Sequence, residues 1–243
     1  MPTTPPRSER AADKRHALGH HPIAAQRARN ARIREQAESI ARAQPLNATA
    51  PVPVGVVPVN TRETARLPLR TRRVFLERLA GRIRAAYAEP DSGVKPVDLA
   101  TMDPAPSTQQ AAASILGRAC ATCRGECCTA GGDHAFLRED SLARVRATHP
   151  SHNEQSLIAT YAAHLPIRHY RGSCVYHTTT GCALPRPLRA NICNRYLCGG
   201  LTQLKRALEV SESEMAFVAA ADSVHLRRMA RIDTNGTRAI PLK

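Results

Sequence analysis

The chain has 243 residues, a formal net charge of +15, 42% apolar residues, 3% aromatics and no tryptophan. That length allows one domain with extensions or two small ones, with a core of Ala, Leu, Val and Ile rather than large rings. No run is long and apolar enough to span a bilayer. The N-terminus MPTTPPRSERAADKRHALGHHP has no apolar secretory stretch, so the expected setting is cytoplasmic with no membrane partner.

Residues 1–60 read as a basic extension, disordered or partly helical, followed by a Pro-rich linker. The first 22 residues are rich in Pro, Arg and His, which favours solvation, and His16, His20 and His21 are expected to be solvated too. IAAQRARNARIREQAESIARA permits a helix, but Ile33, Ala37 and Ile40 make only a thin apolar stripe, suited to a helix formed against a partner. PLNATAPVPVGVVPVN contains four prolines and reads as extended linker.

Residues 61–110 hold a firmer helix, Leu69 to Ala88, with Val74, Leu76, Leu79, Ile83 and Tyr87 at spacings of three and four. Arg70, Arg72, Arg73, Arg78, Arg82 and Arg84 cover much of the rest. These arginines fit either a solvated outer face or a surface for phosphates. Glu89-Pro90-Asp91-Ser92-Gly93 stops the helix, and a second Pro-rich connector leads to Ser107, a candidate cap for a helix that delivers Cys120.

Residues 111–243 form the expected main domain. Gly131-Gly132 and then His134 to Arg138 suggest a turn and a short strand. Asp140 or Ser141 is expected to cap a helix ending at Pro150, and another helix spans Asn153 to His164 with Leu157, Ile158 and Tyr161 inward. SCVYHTTTGCAL reads as a hairpin that brings Cys174 near Cys182. A helix from Leu201 to Val210 follows, and MAFVAAA suits a buried strand or further helix equally. Asn235-Gly236 between alternating runs marks a closing hairpin. The expected fold class is therefore α+β: a small mixed, mainly helical domain with irregular cysteine-rich loops and short antiparallel hairpins.

Eight cysteines fall between residues 120 and 198 and none lies outside: Cys120, Cys123, Cys127, Cys128, Cys174, Cys182, Cys193 and Cys198. In a reducing compartment such clustering favours thiolate ligands over disulfides. Zinc and iron–sulfur clusters both take cysteine sulfur, so all eight are candidate ligands for zinc or iron, an iron–sulfur cluster included. Cys-x-x-Cys lets two sulfurs converge on one ion. The adjacent Cys127 and Cys128 point in different directions and resist sharing one tetrahedral ion, so they are expected to serve different metals or to bridge. His134 and His177 lie near cysteines but suit surface or hydrogen-bonding roles. Asp133, Glu139 and Asp140 could make an acidic point nearby.

This pattern resembles the YkgJ-like or CxxCxxCC cysteine-cluster family of putative zinc- or iron-chelating domains. The resemblance runs from Ala112 to Gly200, on the eight cysteines with Arg186-Pro187 and Arg195-Tyr196. Three residues, where the family name implies two, precede the double cysteine. The resemblance implies metal binding without a defined reaction. It also makes Arg186 and Arg195 part of the motif, where either could donate N–H bonds to thiolate sulfur.

The first functional expectation is a metal-binding protein, more readily a non-enzyme, whose metal is structural with a redox or regulatory use. The alternatives are a zinc-stabilised nucleic-acid-binding module using the Arg-rich helix, and a metal-dependent protein-modifying enzyme. Besides the metal ion, the basic N-terminal half points to an acidic partner or nucleic acid.

Overall fold

The computed structural model describes residues 7–45, 51–88 and 108–242, with side chains from 24 and from 111 onward in the first and third segments. The expectations for residues 1–6, for the start of the linker and for the connector ending at Ser107 lie outside the described residues, as do the side chains of His16, His20 and His21. Within them the architecture is α+β, as expected, and the elements pack around separate cores.

The first lobe is built on a sheet. Helix α1 (Arg7–Arg42) leads to strand β1 (Val54–Pro58), which pairs in parallel with β6 (Met215–Ala221). Strands β7 (Leu226–Asp233) and β8 (Thr237–Ile240) complete an order β1-β6-β7-β8, with antiparallel pairing after β6. The run MAFVAAA is thus a strand, buried on both faces. Ala216, Val218 and Ala220 face helices α3 (Thr108–Cys123) and α7 (Gly199–Ser211). Phe217, Ala219 and Ala221 face α1. Continuous apolar character is what a strand between two helical layers requires, and burial of Phe217 contributes about 1.5–3 kcal/mol.

Two expectations are corrected here. Val54–Pro58 is not linker: its prolines flank a strand whose partners lie far along the chain, and Pro58 occupies its end, where a missing N–H is tolerated. The thin stripe of α1 is not solvated: Ile33, Ala37 and Ala41 are buried against the sheet, because small residues let helix and strand approach closely.

The second lobe is helical. Helix α2 (Leu69–Ala88) packs on α4 (Glu139–Thr148) and α5 (Glu154–Ala163). Phe75, Leu79, Ile83 and Ala86 form its buried face, a slight rotation from the expected one, with Val74, Leu76 and Tyr87 half-buried. Asn153 caps α5 by accepting from Ser156 N at 2.8 Å. Helix α4 begins after Arg138, so neither Asp140 nor Ser141 caps it. Instead the buried Ser141 Oγ accepts from Asn191 N at 3.0 Å. The expected strand at 134–138 is absent: Ala135 and Phe136 have φ of 50° and 55°, which no strand accommodates. Two short ribbons finish the lobe, β2 (Thr64–Arg66) with β3 (Arg168–Tyr170), and β4 (His177–Thr178) with β5 (Gly181–Cys182). Among the described residues, no helix is long and apolar enough to cross a membrane.

Candidate metal centre

The thiols reach one place from four stretches of chain. Cys120 and Cys123 occupy the last turn of α3. The helix stops there because Arg124 and Gly125 both turn left-handed, at φ 56° and 67°. Gly125 tolerates this without a Cβ, which would stand 2.6 Å from His177 Nε2. Asn60, buried beside β1, holds this end in place: its N–H donates to Cys123 O at 2.9 Å and its Nδ2 to Arg124 O at 3.2 Å. The chain then winds into a tight 3-10 turn, Glu126–Gly131, that presents Cys127 and Cys128. Glu126 N donates to Cys123 Sγ at 3.3 Å, a bond that favours the thiolate.

Cys174 enters through its backbone, its N–H donating to Cys128 O at 3.1 Å. Cys182 lies on β5, directly across from His177 on β4, so the expected hairpin forms. Cys193 sits in the one-turn helix α6 (Asn191–Arg195). That turn is fastened by Arg144, fully buried in α4, which donates to Asn191 Oδ1 (2.7 Å), Pro187 O (2.8 Å) and Arg189 O (2.6 Å). Cys198 occupies the N-cap position of α7. All eight cysteines line a single cavity of about 600 Å³.

The electrostatics follow from crowding. Burial pushes Cys120 up to about 12, with repulsion from Cys127, Cys123 and Cys198. Burial likewise raises Cys174 to about 12, and Cys123 and Cys193 to about 11. Cys120, Cys127 and Cys193 are exposed as residues, and all three line the recess. Within the adjacent pair, the interaction between the two side chains lowers Cys127 and raises Cys128. Eight thiols packed this closely cannot all ionise unless a cation offsets their charge, and soft thiolate donors suit zinc or iron. That donor set fits the metal reading. Among the described residues, however, no three His, Cys, Asp or Glu side chains stand as a closed ligand group. The sulfurs line the walls of the cavity.

His177 is the buried polar neighbour. Its Nδ1 bonds Ser173 Oγ at 2.8 Å, and Nε2 has no hydrogen-bond partner among the described residues. Burial holds its imidazole down to about 4, against the pull of the Arg124 backbone. His134 instead accepts from Phe136 N at 3.1 Å and stacks edge-on against its ring. Of the acidic residues expected nearby, Asp133 pairs with Arg78 and Asp140 accepts from Asn191 Nδ2 at 3.1 Å, while Glu126, paired with Arg62, is the carboxylate that acts on Cys127.

Two arginines line the thiol cavity, neither of them Arg186 or Arg195: Arg124 and, close to Cys193, Arg189. Arg189 Nε donates to Leu184 O at 2.8 Å, and its charge opposes the rise at Cys193. Arg144, Asn60 and Asn191 carried no sequence signal, since each acts through partners distant in the chain. Comparison with protein-family models, curated proteins and solved structures gives no match. The resemblance to the YkgJ-like family thus rests on the cysteine and arginine spacing alone.

Proposed function

We propose that this is a metal-binding cysteine-cluster protein whose eight thiols hold zinc or iron, the latter as an iron–sulfur cluster. The observation that carries this reading is that all eight cysteines, drawn from four stretches of chain, line one cavity between two lobes. When bound, the metal supplies positive charge that stabilises the thiolates and ties the two lobes together. A reducing compartment such as the cytoplasm keeps the thiols available as ligands. A redox or regulatory use of the centre belongs to the same proposal.

Metal analysis and visible absorption of protein purified with and without oxygen test the reading. Brown protein with sulfide-to-iron absorption means a cluster, and colourless protein with zinc means structural sites. Protein that carries neither metal and resists chelator without loss of stability rules the proposal out.

A cavity of about 600 Å³ falls in the range of small-ligand pockets, which favours a metal-dependent enzyme as the second reading. For the nucleic-acid alternative support is thinner. Arg72 donates to Ala162 O (3.3 Å), Arg82 to Leu137 O (2.6 Å), and Arg78 pairs with Asp133, so half of the arginines on α2 already fasten it to its own lobe.

A further inference from the structure

The eight cysteines are rooted in two different hydrophobic cores. Cys123 and Cys198 pack into the core between the sheet, α3 and α7, and Cys120 lies on the same helix as Cys123. Cys174 and Cys182 pack against the core of the helical lobe. Cys193 belongs with them, because Leu188 and Ala190 sit in that core and Arg144 fastens Asn191 to α4.

The double cysteine lies where the two lobes meet. The carbonyl of Cys128 is held by Cys174 N, and the Cys128 Sγ and His177 Nε2 both lie within 3.3 Å of the Cβ position of Gly125, which sets that sulfur beside the hairpin of the helical lobe. Cys127, on the α3 side of the 3-10 turn, is left for the sheet lobe. Each lobe is then three thiols strong, and the Cys127–Cys128 pair supplies one more to each side. Four sulfurs per ion is the complement that a closed structural site needs.

Building on the metal-binding reading, we propose that the thiols divide into two four-sulfur centres set side by side. Cys120, Cys123, Cys127 and Cys198 hold one metal ion on the sheet lobe. Cys128, Cys174, Cys182 and Cys193 hold the other on the helical lobe. Binding displaces the thiol protons, and no electron transfer is involved. Each centre stabilises its own lobe, and the peptide bond between Cys127 and Cys128 couples them.

Cadmium-113 NMR of the full chain loaded with cadmium(II) tests this partition. Two resonances in the four-thiolate range, with no splitting through a shared sulfur, are expected. The double variants Cys123→Ser/Cys198→Ser and Cys174→Ser/Cys182→Ser should each lose one resonance, a different one in each case, and about half of the bound metal. A single resonance, cadmium–cadmium splitting, or loss of both resonances in either folded variant overturns the partition while leaving metal binding standing. Failure of the intact chain to bind cadmium overturns both proposals. The spectrum of the unsubstituted protein decides the matter even where a variant fails to fold.

Discussion

The backbone N–H of Cys174 donates to the carbonyl of Cys128 across 3.1 Å. The double cysteine and the hairpin are therefore brought into register by the main chain itself, and next to them Val175 N donates to Gly132 O at 3.0 Å. Under the metal-binding proposal, an ion would meet thiols already gathered, so less chain entropy would oppose its binding.

Arg144 should be the most sensitive single residue near the thiols outside the cysteines. Arg144→Met removes donors to three acceptors at once, the Asn191 Oδ1 among them buried, and should cost about 3 kcal/mol or more. Lysine cannot reproduce the forked geometry, so Arg144→Lys should rescue little. Urea unfolding of both variants measures this. A cost below 1 kcal/mol for either would contradict the assigned role.

Two glycines should respond to alanine with opposite signs. A Cβ on Gly200 would stand 1.9 Å from Val56 O, where α7 crosses β1, so Gly200→Ala should destabilise by about 1–3 kcal/mol. Gly81 lies exposed within α2 with nothing within 4 Å, so Gly81→Ala should stabilise by about 0.5–1 kcal/mol. Thermal unfolding of the pair checks both.

The arginines of α2 should divide by their partners. Arg82→Ala loses a 2.6 Å bond to Leu137 O and should cost about 1.5–3 kcal/mol. Arg73 pairs only with exposed Glu77 on its own helix, so Arg73→Ala should change stability by less than about 0.5 kcal/mol. Equal effects in chemical denaturation would show that α2 is not held as described.

Asp222 gives the pH dependence. It accepts from the backbone N–H of His225 (2.7 Å) and Val224 (2.8 Å) and from Arg227 Nε (2.5 Å). These bonds, His225 N–H first, hold its carboxyl well below the ordinary 3.8. A depressed folded value means that the stabilisation is complete above pH 3.8 and fades as pH falls through the lower folded value. Asp222→Asn should therefore lower stability near neutrality, with the gap to the unsubstituted protein closing below about pH 4. Unfolding midpoints from pH 7 to pH 2 test the sign.

Much of this fold is written locally. The span of α2, the cap at Asn153, the hairpin carrying Cys182 and the Asn235-Gly236 turn all follow from short-range chemistry, and the structure has each of them. What escapes a reading of the sequence is pairing over long distance. Val54–Pro58 becomes a strand only because β6 lies beside it, and the stripe of α1 is buried only because Phe217 and Ala219 face it. The same holds at the thiols. Their identity is plain from composition, but the side that each joins depends on which lobe it packs into. Phe136, left-handed at φ 55°, marks the limit of local rules, since a bulky residue adopts that conformation only under pressure from its surroundings.

The parallel pairing of β1 with β6 also orders events in time. A chain leaving the ribosome releases Val54–Pro58 early and Met215–Ala221 near the end, after every cysteine has emerged. At ordinary synthesis speed that interval lasts roughly 10–30 s. Throughout it β1 waits unpaired, and the eight cysteines emerge within it. The sheet whose core holds Cys123 and Cys198 therefore closes only after all eight thiols are out.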